Sequence, residues 1–269
     1  MVKVIVTGAA GRMGKRIISL ISGTEGIEIA GAVEQKGHIL TGTDVGEYLG
    51  LGKTGVVIDD DLLKCIEKGD VVIDFTHHDV VLDHLRIAAE NNKAMVIGTT
   101  GLTAEETELL QEVAKETRCV MAPNMSVGVN IMFKVLDDVA GILGEDYDVE
   151  IIEAHHNLKK DAPSGTAVKM AQIIADRLGR DLDKCGVYGR KGMIGERTKN
   201  EIGIQTVRAG DIVGEHTVIF GGIGERLEFT HRAHSRDNFA KGAIRAAKWI
   251  VNQSNGFYDM QDVLGLRES

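Results

Sequence analysis

"VKVIVTGAAGRMGKRIISLISGTEGIEIAGAVEQK", residues 2–36, decides the fold. It opens on a short apolar run ending in glycine, the pattern of a buried strand. A stretch with helical spacing follows, in which Met13, Ile17, Leu20 and Ile21 share one face. "IEIAGAVE" then reads as a second strand. Between the first strand and the helix stand Gly8, Gly11 and Gly14. Glycines there allow a tight turn and a close approach of backbone to phosphate, and the helix start offers N–H groups and a positive dipole end. Glu34, twenty residues past Gly14, falls at the end of the second strand, where an acid accepts hydrogen bonds from ribose hydroxyls. Lys36 is a cation able to meet a 2′-phosphate. The spacing is G-x-x-G-x-x-G, and a glycine turn that merely packs a helix on a strand is the competing reading. Strand, turn, helix, strand and acid together predict a nicotinamide dinucleotide site.

Outward from this unit the rhythm continues for about 125 residues, the length of one ordinary domain. "DLLKCIEK" reads as a helix, "DVVIDFT" as a strand, "VVLDHLRIAAENN" as a helix and "AMVIGTTG" as a strand. Thr103 with Glu106 then opens another helix through a capping box, and "CVMAPNMS" is a further strand. Strands joined by helical crossovers predict a parallel sheet covered on both faces. Residues 36–55 hold six glycines and read as loop. In open parallel sheets ligands lie beyond the carboxyl ends of the strands. That directs attention to "DFTHH", to Gly98, Thr99 and Thr100 with room for a flat nicotinamide ring, and to "APNMS". After Ser126 the pattern changes. The helix "VNIMFKVLDDVAGIL" leads into the alternating strand "YDVEIIEAHH". After a helix near 166–178, "IVGEHTVIFGGIGERLEFTHRAH" reads as two strands about a glycine turn, with Leu227 and Phe229 on one face. A last helix, "NFAKGAIRAAKWIVNQ", follows. The expected architecture is α/β: a Rossmann-like parallel-sheet domain, and a second α+β domain on a mixed, largely antiparallel sheet.

Composition narrows the function. The chain has 269 residues, 43% hydrophobic, enough for a real core. A net charge of −9 and 4% aromatic residues argue against nucleic-acid binding. No apolar run is long enough for a membrane span. The first residues run into a strand without a signal-peptide layout. Cys65, Cys119 and Cys185 fit no zinc or disulfide pattern and read as inert thiols in a reducing, cytoplasmic protein. An anionic ligand therefore needs a local basic site.

"EAHHNLKKDAPSGTA", residues 153–167, supplies one. Adjacent strand residues face opposite ways, so His155 and His156 need not share a role. Each is a proton carrier near neutral pH or a donor to an anion. Lys159 adds a proton donor or a positive charge. Pro163 restricts the approach to the turn, and Ser164 or Thr166 caps the helix that follows. The N–H groups of Gly165 and Thr166 at that helix start are a seat for a carboxylate. Glu153 with the two histidines lacks the spacing of a metal motif, so no metal is expected. The stretch reads as a receptor for a small acid with proton donors beside it.

Seven blocks, "GAAGRMG", "VIDFT", "VIGTTG", "NMSVGVN", "IIEAHHNLKKDAPSGTA", "TVRAGDIVGEHTVIF" and "ERLEFTHRAHSRDNFAKGA", closely resemble the dihydrodipicolinate (4-hydroxy-tetrahydrodipicolinate) reductase family over nearly the whole chain. The resemblance implies a cofactor domain at 1–126, a substrate-binding and oligomerisation domain at 127–236, and a C-terminal helix at 237–269 returning to the first. It implies reduction of a cyclic dicarboxylic imine with NADPH or NADH and loss of water from the 4-hydroxy substrate. It also implies a place in lysine and diaminopimelate biosynthesis, and assembly as a homotetramer. His155 matches the proton donor/acceptor and Lys159 a second proton donor. His156, Gly165 and Thr166 match substrate contacts. Gly8, Ala9, Ala10, Gly11, Arg12, Met13, Glu34, Gly98 to Thr100, and Ala122, Pro123, Asn124 and Met125 match cofactor contacts. Two departures weaken any strong preference for NADPH: many relatives carry arginine after the acid, where this chain has Gln35, and Arg-Pro after "DFT", where it has His77 and His78. Competing readings are another Rossmann reductase of a small carboxylic acid and a dinucleotide-sensing module. None of Tyr48, Tyr147, Tyr188 and Tyr258 has the lysine four residues on that short-chain reductases require.

Overall fold

The computed structural model describes residues 1–267 and divides into two compact units, Met1–Val127 with Arg236 onward, and Gly128–Ser235. The first begins with β1 (Val2–Thr7), α1 (Arg12–Ile21), β2 (Ile27–Val33), α2 (Val45–Leu49) and β3 (Ile58–Asp59). It continues with β4 (Val71–Asp74), α3 (His78–Glu90), β5 (Ala94–Ile97), α4 (Ala104–Ala114) and β6 (Arg118–Met121). The second holds α5 (Val127–Leu143), β7 (Asp148–His155), α6 (Gly165–Arg177), α7 (Leu182–Cys185), β8 (Gly186–Tyr188), β9 (Ile202–Arg208), β10 (Gly214–Gly221) and β11 (Arg226–Ala233). The chain then adds α8 (Asp237–Ile250), β12 (Gly256–Tyr258) and α9 (Met260–Leu264) to the first unit.

In the first unit seven strands form one parallel sheet in the order β12-β6-β5-β4-β1-β2-β3. Its strands are apolar on both faces because each face is covered. Val4, Val6, Ile73, Val96 and Val120 pack under α1 and α8, while Ile5, Val72, Met95, Ile97 and Cys119 pack under α3 and α4. The amphipathic reading of α1 holds: Ile17, Ile18 and Ile21 are buried, with Met13 and Leu20 at the margin. Thr103 and Glu106 form the expected reciprocal cap of α4. Burial pushes the Cys65 thiol up to about 11 and raises Cys119 further, so neither is reactive at neutral pH.

Two local expectations fail. "DLLKCIEK" is not one helix but two successive 3₁₀ turns, Leu62–Lys64 and Ile66–Lys68. Between them Cys65 sits at φ −127°, ψ −4°, outside helical geometry, so an α ladder cannot pass through it. The glycine-rich segment 36–55 is not all loop. Asp44 caps α2, accepting from the N–H groups of Gly46 and Glu47, and its carboxylate also gathers Thr54 and Gly55.

In the second unit the sheet order is β11-β10-β7-β9-β8. β10 runs antiparallel to β11 and β7, while β7 with β9 and β9 with β8 are parallel. One face is covered by α5 and α6: Leu136, Ala140, Met170 and Ile174 pack on Val149, Ile151, Val218 and Phe220. The other face leaves Ile152 and Val207 exposed. Among the described residues no helix is long and apolar enough to cross a membrane.

Candidate active site

The carboxyl ends of the central strands are level. Thr7 pairs with Val33 and with Asp74, Asp74 with Ile97, and Ile97 with Met121. The segments that follow therefore leave one edge of the sheet: Gly8 to Met13, Glu34 to Lys36, Phe75 to His77, Gly98 to Thr100, and Ala122 to Met125. From β1 the chain builds outward in both directions, to β2 on one side and β4 on the other. That is the switch point at which open α/β sheets receive ligands.

The turn after β1 is built for glycine. Gly8 has φ +67°. A Cβ on Gly14 would collide with the Gly8 carbonyl and lie 2.8 Å from Ala9 Cα, so α1 can lie this close to the turn only without one. Gly11 precedes α1, and no side chain caps the first-turn N–H groups of Arg12 and Met13. An unclosed helix start beside a left-handed glycine fits a pyrophosphate. Ala9 donates to Val33 O at 3.0 Å, and Ala10 donates to Glu34 Oε1 at 2.7 Å. Glu34 thus braces the turn with one oxygen. Lys36 is exposed beyond it.

At the neighbouring strand ends a residue the sequence reading passed over organises the edge. Asp74, fully buried, accepts from Thr7 Oγ1 (2.7 Å), Thr76 Oγ1 (2.8 Å) and Thr99 Oγ1 (2.6 Å), and lies 2.6 Å from His84 Nδ1. Its signal was a carboxylate closing the apolar run "VVID". The Thr99 hydroxyl is spent here and also accepts from Thr76 N–H at 2.9 Å, whereas Thr100 is exposed. A Cβ on Gly98 would collide with the Phe75 ring. After β6, Ala122 and Met125 are buried while Pro123 is exposed. Asn124 Oδ1 accepts from Ser126 N–H at 2.9 Å, and Gly242 of α8 lies so near the Met125 carbonyl that a Cβ would collide with it.

The second set of residues lies at the end of β7. Val149 and Ile151 point into the core, and the same face continues through Glu153 and His155, both buried. Two apolar steps followed by two ionisable ones turn a packing face into a chemical one. Glu153 Oε2 lies 2.6 Å from His155 Nδ1. Arg208 grips both Glu153 oxygens, each at 2.8 Å, and Ser164 N–H donates to Oε1 at 2.9 Å. The parallel register makes this meeting: His155 stands opposite Arg208 and Glu153 opposite Thr206. Burial works against the Glu153 charge, yet the bonds from His155, Arg208 and Ser164 hold its carboxyl at about 2. A carboxylate at Nδ1 puts the proton there and leaves Nε2 for exchange. Nε2 would lie 3.1 Å from a Cβ on Gly214, so glycine there keeps the ring edge uncrowded.

Ser164, not Thr166, caps α6: its hydroxyl accepts from Ala167 N–H at 3.2 Å and lies 3.1 Å from His216 Nε2. His216 packs edge-on to His155, with ring centroids 5.2 Å apart. Burial, and then the neighbouring His155, drive its pKa down to about 3, so the ring is neutral. Gly165 and Thr166 are the first two residues of α6, with their N–H groups at the positive end of the helix. Lys159 Nζ is held 2.8 Å from Asp161 Oδ1 by a turn in which Lys159 N–H donates to His156 O at 3.1 Å. His156 itself lies just past the strand, half-buried. His155, Lys159, Gly165 and Thr166 thus belong to one unit. Arg208, Ser164 and His216 join them without having been singled out together, because each comes from a different element.

The whole chain has known relatives. Residues 2–125 match the family model "Dihydrodipicolinate reductase, N-terminus" and residues 128–264 the model "Dihydrodipicolinate reductase, C-terminus". The chain is 62% identical over 267 residues to a 4-hydroxy-tetrahydrodipicolinate reductase of Syntrophus aciditrophicus (strain SB), covering 99% of this chain and 100% of the relative. A protein of the same name from Geotalea uraniireducens (strain Rf4) is 60% identical with the same coverage. Among solved structures, a dipicolinate-bound dihydrodipicolinate reductase from Paenisporosarcina sp. TG-14 superimposes with a TM-score of 0.75 at 26% identity, covering 97% of this chain and 98% of that one. The chain belongs to the dihydrodipicolinate reductase family.

Proposed function

We propose that this chain reduces 4-hydroxy-tetrahydrodipicolinate, a cyclic imine dicarboxylate, to tetrahydrodipicolinate with loss of water, using NADH or NADPH, as a step toward diaminopimelate and lysine. The observation that carries the reading is the pairing of a carboxylate-held imidazole, Glu153–His155, with the start of α6 in the same unit. Full-length identity of about 60% to proteins named for this activity supports it.

The dinucleotide fits the first unit. Gly8, Gly11 and Gly14 leave the backbone bare at the start of α1, and Glu34, one oxygen accepting from Ala10 N–H and the other from Gln35 N–H, keeps further lone pairs for a ribose. Gly8 to Met13, Glu34, Gly98 to Thr100, and Ala122 to Met125 would hold it, Thr99, Ala122 and Met125 through backbone groups. Reduced nicotinamide supplies the hydride when bound. Lys36 would meet a 2′-phosphate only as a flexible point charge, which favours use of both cofactors, with NADH at least as good as NADPH.

In the second unit the N–H groups of Gly165 and Thr166 and the Thr166 hydroxyl would receive a substrate carboxylate, with His156 beside them. His155 would donate a proton from Nε2 and recover it from solvent, while Glu153 keeps Nδ1 protonated and stabilises the imidazolium. Lys159, oriented by Asp161, is the second donor. Glu153 never needs to accept the proton, since its carboxyl lies far below neutral pH. The exposed sheet face with Ile152 and Val207 would pack against further copies in a cytoplasmic homotetramer.

The test is oxidation of NADH and NADPH by the purified chain with freshly generated 4-hydroxy-tetrahydrodipicolinate, followed at the nicotinamide absorbance. Turnover that requires the imine and falls roughly 10²–10⁴-fold in His155→Gln or Lys159→Ala is expected. Dinucleotide binding without imine-dependent turnover would instead fit a sensing module.

A further inference from the structure

The chemistry above uses one pair of adjacent histidines; the chain has another, at a different unit's surface. His77 precedes α3 and His78 is its first residue. His77 Nδ1 lies 3.0 Å from Asp79 Oδ2, and His78 Nδ1 lies 3.3 Å from Asp79 Oδ1. One donor atom from each of the three residues falls within 4.8 Å of the others. The two rings lie 4.3 Å apart, tilted 36°. Ligands bound at about 2.0–2.1 Å to a tetrahedral ion stand about 3.3 Å from one another, so the imidazole–carboxylate spacings here need little adjustment.

A second helix contributes. Glu106 Oε1 lies 3.0 Å from His78 Nδ1. Its other oxygen accepts from Thr103 N–H at 2.7 Å in the capping box of α4, so the carboxylate is held in place by its own helix. Two neutral imidazoles with two carboxylates would balance a dication, and these charges oppose the positive end of α3 that would otherwise repel it. Imidazole nitrogen suits zinc, nickel, cobalt and copper, and not magnesium or calcium, which prefer all-oxygen sites.

We propose that His77, His78 and Asp79, with Glu106 as the adjacent carboxylate, form a binding site for one divalent transition-metal ion of the zinc class on the parallel-sheet unit. The site lies one residue beyond Thr76, whose Cγ2 is 3.2 Å from where a Cβ on Gly8 would stand. An ion here would tie the loop after β4 to the start of α4, beside the turn assigned to the dinucleotide. The residues are spent on no step of the reductase reaction, and the proposal stands whether or not that reaction is the chain's activity.

Titration of the full-length protein, stripped with chelator, decides it. Co²⁺ is added at pH 7.5 in a non-coordinating buffer and read by its visible d–d absorption, and Zn²⁺ by calorimetry. One equivalent should bind with a four-coordinate cobalt spectrum, and one equivalent of Zn²⁺ should raise the thermal midpoint. The double variant His77→Ala/His78→Ala should weaken binding by about 100-fold or more, and Glu106→Gln by about 10-fold, the low end for losing a carboxylate beside a ligating imidazole. His77 is exposed and His78 and Glu106 are half-buried, and circular dichroism checks that the variants fold. Non-saturable binding would reduce the cluster to ordinary ion pairs, and unchanged affinity in the double variant would put the ion elsewhere. Either result overturns the proposal.

Discussion

Asp74 in the parallel-sheet unit and Glu153 in the mixed-sheet unit are alike at first sight. Both carboxylates are fully buried, and each lies 2.6 Å from a histidine Nδ1, of His84 and of His155. Burial opposes both charges, and hydrogen bonds hold both below the usual carboxylate range. Their other partners differ. Asp74 is surrounded by the hydroxyls of Thr7, Thr76 and Thr99, which come from the ends of β1, β4 and β5. Glu153 faces the guanidinium of Arg208, bound through both oxygens. With its charge already matched by arginine, Glu153 still holds His155 through Nδ1. Asp74 instead clamps three strand ends level. The same carboxylate–histidine pair is a tie in one unit and, in the function proposed above, a proton site in the other, and the third partner decides which.

The sharpest break of that comparison is charge removal on each side. Glu153→Gln should lower kcat roughly 10²–10⁴-fold through the wrong imidazole tautomer, with dinucleotide affinity unchanged. It should also destabilise by about 1–3 kcal/mol, because the half-buried Arg208 loses its charged partner. Asp74→Asn should do the reverse, weakening dinucleotide binding by about 1–3 kcal/mol through loosened strand ends and leaving kcat at saturation within about threefold. Stopped-assay kinetics with direct dinucleotide titration separate the two. Equal loss of kcat in both variants would erase the distinction drawn here.

Acid should find the mixed-sheet unit first. The folded pKa of His216 is about 3, below the roughly 6.5 of an unfolded histidine, so protons favour the unfolded chain. The neutral ring's contribution is whole above about pH 6.5 and is lost as pH falls toward 3, at up to about 1.4 kcal/mol per pH unit. Glu153 adds a second loss between about pH 4.3 and its folded value near 2. Urea midpoints from pH 7 to 5 should therefore fall in the native protein and stay flatter in His216→Gln. Parallel curves would mean that His216 is already charged in the fold.

Smaller effects probe the ligand ends of each unit. Thr166→Val keeps shape and deletes a hydroxyl near the start of α6, so KM for the imine should rise by an amount equivalent to about 1–3 kcal/mol. Unchanged binding of a non-reactive dicarboxylate would leave that hydroxyl without a part in recognition. In the other unit, Gln35→Arg should shift cofactor preference toward NADPH by about 1–2 kcal/mol, and added salt should weaken NADPH more than NADH. A native preference for NADPH of about a hundredfold, equivalent to roughly 2.7 kcal/mol, would show that Glu34 does not set the choice.

The sequence by itself determined what repeats locally. Alternating strands and helices, the face of α1, the Thr103–Glu106 cap and the glycine at 14 all follow from backbone periodicity and from where a Cβ cannot fit. Where local signals are short, they misled: Cys65 breaks a segment that reads as helix, and β3, β8 and β12 are two- or three-residue strands defined by their neighbours. His155 and Lys159 could be singled out as candidates because they share one short stretch of chain with a helix start. Arg208, 55 residues from Glu153, and His216, 52 residues from Ser164, were not. Only the tertiary structure decided those meetings. A strand's own residues say which side chains share a face, but the register that sets Arg208 opposite His155 belongs to two strands at once, and is settled by packing of the whole sheet.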